Sequence, residues 1–313
     1  TALYVGPVNF DWEINGEKHG REMQTGDSTY GTPFWPHTFA CREKGELAYI
    51  LAVTFGGAVR MAQKEFYRLG EKARGYMLNS RKPTQAVAQL IEQHLANDDL
   101  TKDDLEERLQ ENGQPVQLDA ILKAQHHPSY DEFCALAKCL QIEPSDLMMP
   151  EYSADHEVAI KPFGPSGATL FPSSSQPYYR IHRMVRLPKL PLVRGSIVEV
   201  QNSQPQAALL QKPFQTSLHG WLYNFGKTDA RIYFENNSSS FEETVRPGDS
   251  VYIQPFTRYA FANVNQDDPN ARLCVIRIPG TVNLSTQREL SYFSEIDRVI
   301  FESGCWFNRR ENN

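Results

Sequence analysis

The chain has 313 residues, 40% of them apolar and 22% charged, with a formal net charge of −6. That length allows two domains with their own cores, and the acidic balance argues against gripping a nucleic-acid backbone, while leaving room for a small anionic substrate held by a few local cations. Five scattered cysteines without a C-x-x-C pair, no apolar run of membrane-spanning length and no visible signal peptide give no support to structural zinc, a disulfide framework or a membrane partner, and a reduced cytoplasm fits best.

The chain starts at Thr1 and enters an apolar, strand-like run at once, "ALYVGPV". "TGDSTYGTPFWPHTFA" follows at Thr25–Ala40. Gly26-Asp27 is a turn dipeptide that starts a strand, Pro33 places that strand at a rim, and His37 follows where a side chain can point into a barrel mouth. A single histidine holds no metal, so His37 is either one ligand of a larger set or a rim histidine bonded to backbone. Tyr30, Thr32 and Trp35 either line a pocket beside it or pack as ordinary strand residues.

From Pro83 to Leu147 the apolar period becomes helical, in "TQAVAQLIEQHL", "TKDDLEERLQENG", "QLDAILKAQ" and "SYDEFCALAKCLQIEPSDL". Thr101 and Asp104 form a capping box with Asp in place of Glu, and Gly113 is a stop signal. The last of these segments resembles the terminal helices of small helix-turn-helix domains in bacterial repressors. The helical insert's acidic run "NDDLTKDDLEE" argues for packing or dimerisation rather than DNA binding, so a homo-oligomer is expected. His126 and His127, beside Pro128, read as a loop cap, and Cys134 and Cys139 as buried helix residues. Strands are expected to resume after the Pro/Ser/Gly stretch 164–177.

The second strand region repeats the first. At an offset of 222, Gly26, Asp27, Ser28, Tyr30, Pro33, Phe34, Phe39 and Ala40 match Gly248, Asp249, Ser250, Tyr252, Pro255, Phe256, Phe261 and Ala262. "ALYVGPV" precedes the first copy as "WLYNFGK" precedes the second, and "LAYILAVTFGG" follows the first as "ARLCVIRIPG" follows the second. A repeat with matching flanks indicates two copies of one β-unit. The second copy spends some 40 residues on strands before "HGWLYNFG", and the first has nothing equivalent. The reading therefore expects a C-terminal portion whose preceding segment holds the partners of His37. Tyr259 stands in the place of His37, and His219 stands alone, so the second copy is expected to be metal-free.

Two such strand units with a repressor-like insert resemble a bicupin, an α+β arrangement of two cupin-type β-barrels. "GPVNFDWEING" and "TGDSTYGTPFWPHTF" sharpen this to a resemblance to the methylphosphonate synthase and 2-hydroxyethylphosphonate dioxygenase family, over nearly the whole chain. The resemblance implies a mononuclear Fe(II) site with His37 as one ligand, O2 as co-substrate and a small phosphonate as substrate. The dioxygenases carry a glutamate ligand six residues before the histidine, where this chain has Gly31. The synthases have glycine there and take a glutamine from an earlier motif, which by alignment falls before Thr1. Gly31 thus favours methylphosphonate synthase, converting 2-hydroxyethylphosphonate to methylphosphonate. The rival outcome is hydroxymethylphosphonate with formate. A lysine of the dioxygenases that helps hold the phosphonate aligns with Arg277, whose ordinary alternative is a solvated or ion-paired strand arginine. No catalytic residue is assigned.

The expected layout is 1–75 for the later part of a first cupin barrel, 76–155 for the helical domain and 156–313 for the second, metal-free barrel with a tail. Two readings from other classes stand beside the enzyme: a cupin sensor joined to a DNA-binding module, and a metal-free structural bicupin.

Overall fold

The computed structural model describes residues 1–14, 16–31, 36–54, 64–72, 77–78, 82–149, 158–175, 177–186, 193–201, 213–236, 239–264, 271–281, 283–293 and 295. Two compact units emerge, one formed by 1–54 with 158–313 and the other by 55–157. Of the expected first stretch, 1–54 falls in one unit with 158–313, while 55–75 falls in the other. The whole is a mixed α+β protein, mostly sheet with a few helices.

In the smaller unit, α1 (Pro83–Asn97), α2 (Lys102–Glu111), α3 (Leu118–Leu122) and α4 (Tyr130–Leu140) enclose one core. The spacing of its apolar residues explains the packing. Val87, Ile91 and Leu95 line one face of α1, and Phe133, Leu136, Ala137 and Leu140 line one face of α4. The starts of α2 and α4 are fixed by reciprocal capping boxes, Thr101 with Asp104 and Ser129 with Glu132. Gly113 follows the end of α2 at φ +63°, a conformation glycine adopts without steric cost.

The larger unit is built of strands. One sheet has the order β6 (Tyr49–Ala52), β1 (Ala2–Val5), β4 (Ser28–Gly31), β7 (Val158–Lys161), and a second has β3 (Glu17–Met23), β2 (Val8–Ile14), β5 (His37–Cys41). In the later half, one sheet runs β14 (Ser250–Ile253), β11 (His219–Asn224), β16 (Arg272–Ile278), β10 (Arg194–Val200), β9 (Tyr179–Arg183), β8 (Thr169–Phe171). The other runs β13 (Ser239–Val245), β12 (Ala230–Asn236), β15 (Arg258–Asn263). Strand structure resumes before the Pro/Ser/Gly stretch, at β7, and continues inside it at β8, earlier than the sequence suggested. Turn-forming composition yields there because Leu170 pairs with Arg180, and Phe171 stacks on Phe214 at 5.2 Å in the core.

The repeat holds at the level of hydrogen bonds. Asp27 N–H donates to Gln24 O at 3.0 Å and Asp249 N–H to Arg246 O at 2.9 Å. The carboxylates accept from Gln24 N and Arg246 N, both at 2.9 Å. Gly26 and Gly248 sit at φ +96° and +91°. Strands β2, β3 and β4 fall on β12, β13 and β14 at the offset of 222 throughout.

One strand departs from the letter-by-letter match. Gly26 N–H donates to Tyr4 O, and Gly248 N–H to Asn224 O, so Tyr4 corresponds to Asn224 and Leu3 to Tyr223. Matching Leu3 to Leu222 would turn every β1 side chain to the wrong face, because strands alternate with period two. Register follows the main-chain bonds to the turn. In that register Ala2 and Tyr4 face one core while Leu222 faces its counterpart.

Candidate functional site

The sheet β3-β2-β5 carries the first-copy site. Val8, Phe10 and Trp12 alternate with Asn9 and Asp11, which turns the aromatic residues to one face. Phe10 stacks on Trp12 at 4.7 Å and on Phe39 at 5.3 Å, and Tyr4 closes the inner end with its hydroxyl on Thr29 Oγ1 at 3.0 Å. Burial pushes the Tyr4 phenol up to about 12, with the Thr29 bond opposing and Asp27 adding to the rise. The outer end is polar. Trp12 lies opposite His19 on one side and His37 on the other.

His37 is therefore held at a defined place. Its strand pairs with β2, and Glu13 N–H donates to Pro36 O at 3.0 Å immediately before it. Its ring meets Phe39 edge-on at 5.3 Å, and the His19 ring stacks on Trp12 at 5.5 Å. His37, Trp12, His19, Lys18, Asp11 and Glu13 line an open cleft of about 600 Å³. The second copy puts Tyr259, Phe234 and Phe241 at the places of His37, Trp12 and His19. Two imidazoles thus stand where the later copy has a phenol and a benzene ring.

Sequence reasoning found His37 and missed Trp12 and His19. The offset of 222, carried through β2 and β3, was the available signal, since it pairs both residues with aromatic counterparts. Among the described residues, no three His, Cys, Asp or Glu gather as a metal-holding group. The imidazoles of His19 and His37 project from strands on either side of β2.

The other expected site residues are dispersed. Thr32 and Trp35 lie outside the described residues. Gly31 ends β4 and shares its inner face with Thr29, by alternation, without adopting positive φ. Tyr30 points the other way, with Ser28, and lines a narrow gap with Thr1, Val185, Arg186 and Ile276. Burial raises its phenol above the ordinary tyrosine range. The structure does not bring Tyr30 to the His37 cleft.

Arg277 belongs to the second copy. Its Nη2 donates to the Tyr259 hydroxyl at 2.6 Å, and its guanidinium lies 5.6 Å from the Phe214 ring centroid. Burial raises the Tyr259 phenol, although Arg277 opposes the rise. His219 is bonded through Nδ1 to the Tyr252 hydroxyl at 2.6 Å. In the helical unit, His126 Nε2 meets Glu132 Oε2 at 2.8 Å, and His127 Nδ1 meets Pro128 O at 3.1 Å. No helix is long and apolar enough to cross a membrane among the described residues.

No family model matches the chain. A methylphosphonate synthase of Nitrosopumilus maritimus (strain SCM1) is 28% identical over 318 aligned residues, covering 100% of this chain and 66% of that protein. A Streptomyces albus hydroxyethylphosphonate dioxygenase, solved with 2-hydroxyethylphosphonate and Fe(II) bound, superposes with a TM-score of 0.77. It is 26% identical, and the match covers 96% of this chain and 65% of that one. A single-substitution variant of hydroxyethylphosphonate dioxygenase, at 14% identity and a TM-score of 0.71, shares the fold. The chain spans about two thirds of the length of these relatives. In sequence over its whole length, and in fold over nearly all of it, this chain is similar to the family that its repeated strand unit and Gly31 resemble, the methylphosphonate synthases and hydroxyethylphosphonate dioxygenases.

Proposed function

We propose that this chain is part of a methylphosphonate synthase, an Fe(II)- and O2-dependent enzyme that cleaves the C–C bond of 2-hydroxyethylphosphonate. The observation that carries the synthase reading is Gly31. It lies on the inner face of β4, six residues before His37, and its backbone does not call for glycine. No carboxylate stands at that position. The full-length similarity to a methylphosphonate synthase and the solved Fe(II) complex of the Streptomyces albus dioxygenase support the wider reading.

The described residues do not by themselves fit an iron site, because they bring His37 to the cleft without a three-ligand set. In this proposal His37 supplies one neutral imidazole to Fe(II), and the other ligands come from outside the described residues. Bound iron would supply open coordination positions for substrate and O2. The chain's own contribution is geometric. Pairing with β2 and the Pro36 carbonyl bond fix where the imidazole stands, and Trp12 walls the cleft beside it.

The phosphonate contacts expected of Tyr30, Thr32, Trp35 and Arg277 remain proposals with unequal support. Thr32 and Trp35 connect β4 to His37 in sequence, whereas Tyr30 and Arg277 are engaged elsewhere. We also propose the bicupin layout, with 1–75 and 156–313 as cupin-type units and 76–155 as the helical insert. The hydrogen-bond repeat at Asp27 and Asp249 supports it. A cytoplasmic homo-oligomer completes the proposal.

Phosphorus NMR of the chain turning over 2-hydroxyethylphosphonate with Fe(II) and O2 tests the reading. Methylphosphonate is the expected product, and hydroxymethylphosphonate as the main product would overturn the synthase assignment. Metal analysis separates the remaining case. Iron retained equally by the native chain and His37→Ala would remove His37 as a ligand.

A further inference from the structure

The second copy holds a cluster of arginines without acidic partners among the described residues. Val198 and Val200 on β10, Leu273 and Val275 on β16, and Tyr179 on β9 point into its core. By alternation, Arg194, Arg277 and Arg183 project from the same face at one end of these three adjacent strands. Arg194 and Arg277 are paired directly across β10 and β16. Like charges placed so are destabilising unless something lies between them.

Elsewhere in this unit, strand arginines find carboxylates: Arg272 and Arg180 reach Glu199, Arg258 reaches Glu235, and Arg231 reaches Glu242. Arg183, Arg194 and Arg277 make no salt bridge among the described residues. Segments 187–192 and 202–212, which adjoin β9, β10 and β11 in sequence, contain no Asp or Glu. Among the described residues Arg194 donates one long bond, to Val193 O at 3.4 Å. Burial, then Arg186 and Arg183, pull its guanidinium below the usual arginine range. Arg277 spends Nη2 on Tyr259, while its Nε is buried with no acceptor among the described residues. An unpaired buried donor costs about 1–3 kcal/mol, more for a charged group, so Arg277 Nε, beside the half-buried Arg194 and the exposed Arg183, calls for an acceptor.

We propose that Arg183, Arg194 and Arg277 form a binding site in the second copy for a small tetrahedral oxyanion of the phosphate or phosphonate class, separate from the His37 cleft. Planar guanidinium forks match such oxygens, and three of them supply more charge than a lone carboxylate neutralises. Tyr259 shapes the inner end. Its hydroxyl accepts from Arg277 Nη2 and so presents that guanidinium in a fixed orientation. None of its residues lines the cleft at His37, so removing the His37 imidazole leaves the site in place.

Isothermal titration calorimetry with inorganic phosphate on the full chain tests this, with methylphosphonate and acetate as comparison probes. Saturable binding at one site per chain is expected, at least tenfold weaker in Arg194→Gln and Arg277→Gln and unchanged in His37→Ala. Phosphate should also raise the melting temperature of the native chain and not that of Arg194→Gln, which checks the site in a folded variant. Three results would overturn the assignment: no saturable binding of phosphate or methylphosphonate, binding lost in His37→Ala but kept in both arginine variants, or acetate binding more tightly than phosphate.

Discussion

Removing the carboxylate of Asp27 should destabilise the strand unit far more than removing that of Asp249, although both sit in the same turn. Each accepts a bond from the backbone N–H three residues earlier, at 2.9 Å. Asp27 is 6% exposed, and its second oxygen also accepts Phe163 N–H at 2.7 Å, whereas Asp249 is exposed and has the one bond. Asp27→Ala thus strands two backbone donors in a buried place. Hydrogen bonds to charged groups contribute about 1.5–3 kcal/mol each, so a loss of about 3–4 kcal/mol is expected. At Asp249, water replaces the lost oxygen, and about 0.5–1 kcal/mol is expected. For a unit of this size, 1 kcal/mol corresponds to about 2–4 °C in melting temperature. Thermal unfolding followed by circular dichroism should show a drop of roughly 6–16 °C for Asp27→Ala and about 1–4 °C for Asp249→Ala. Asp27→Asn, which keeps an acceptor and loses the charge, should fall between them. Equal shifts for the two alanine variants would refute the reasoning, since they would mean that the bond to Phe163 contributes nothing.

Other tests fall in the helical unit. Ser129→Ala removes the cap acceptor of Glu132 N–H and should cost about 1 kcal/mol in urea denaturation. Leu136, fully buried in the helical core, should cost about 2–5 kcal/mol on change to alanine by the same measurement. Glu132 gives a pH prediction. Burial alone would raise its carboxyl, but Ser129 N–H, His126 and Gln117 N–H together hold it down at about 2, against an ordinary 4.5. Because the folded value is depressed, its contribution is complete above pH 4.5 and is lost as pH falls toward 2. The slope there should be at most ~1.4 kcal/mol per pH unit, and Glu132→Gln should flatten it.

The helical unit was legible because its signals are local. Thr101 and Asp104 lie three residues apart, and their box forms whatever surrounds them. The Gly-Asp turns were legible for the same reason. Register was not. Letters aligned Leu3 with Leu222, while bonds between strands distant in sequence align it with Tyr223. The candidate site divides along the same line. His37 and Gly31 share one short stretch and were found by comparing copies. His19 and Trp12 meet His37 only through the pairing of β3, β2 and β5. Arg183, Arg194 and Arg277 lie on three strands, and only the sheet order brings them to one end.

That division explains how two copies of one frame can take different chemistry. At the place of His37, the later copy has Tyr259, buried to 1% exposure and joined to Arg277. By strand register the first-copy counterpart of Arg277 is Thr54, since Ala52 and Val275 take equivalent places opposite Ala2 and Leu222. The second copy therefore carries a covalently fixed cation beside its core aromatic residues. An arginine keeps its charge at any working pH and cannot dissociate, so a metal cation drawn to the same place would meet repulsion instead of a ligand. Threonine at the counterpart position carries no charge and imposes no such barrier. The exchange of His for Tyr and of Thr for Arg acts as a pair. Restoring histidine alone, as Tyr259→His, should leave the second copy without added metal affinity, whereas the double change with Arg277→Thr removes the opposing charge. Metal titration of the two variants in the His37→Ala background, followed by tryptophan fluorescence, reads that difference. Equal, measurable metal binding by the two would show that the arginine is not what keeps a metal from that place.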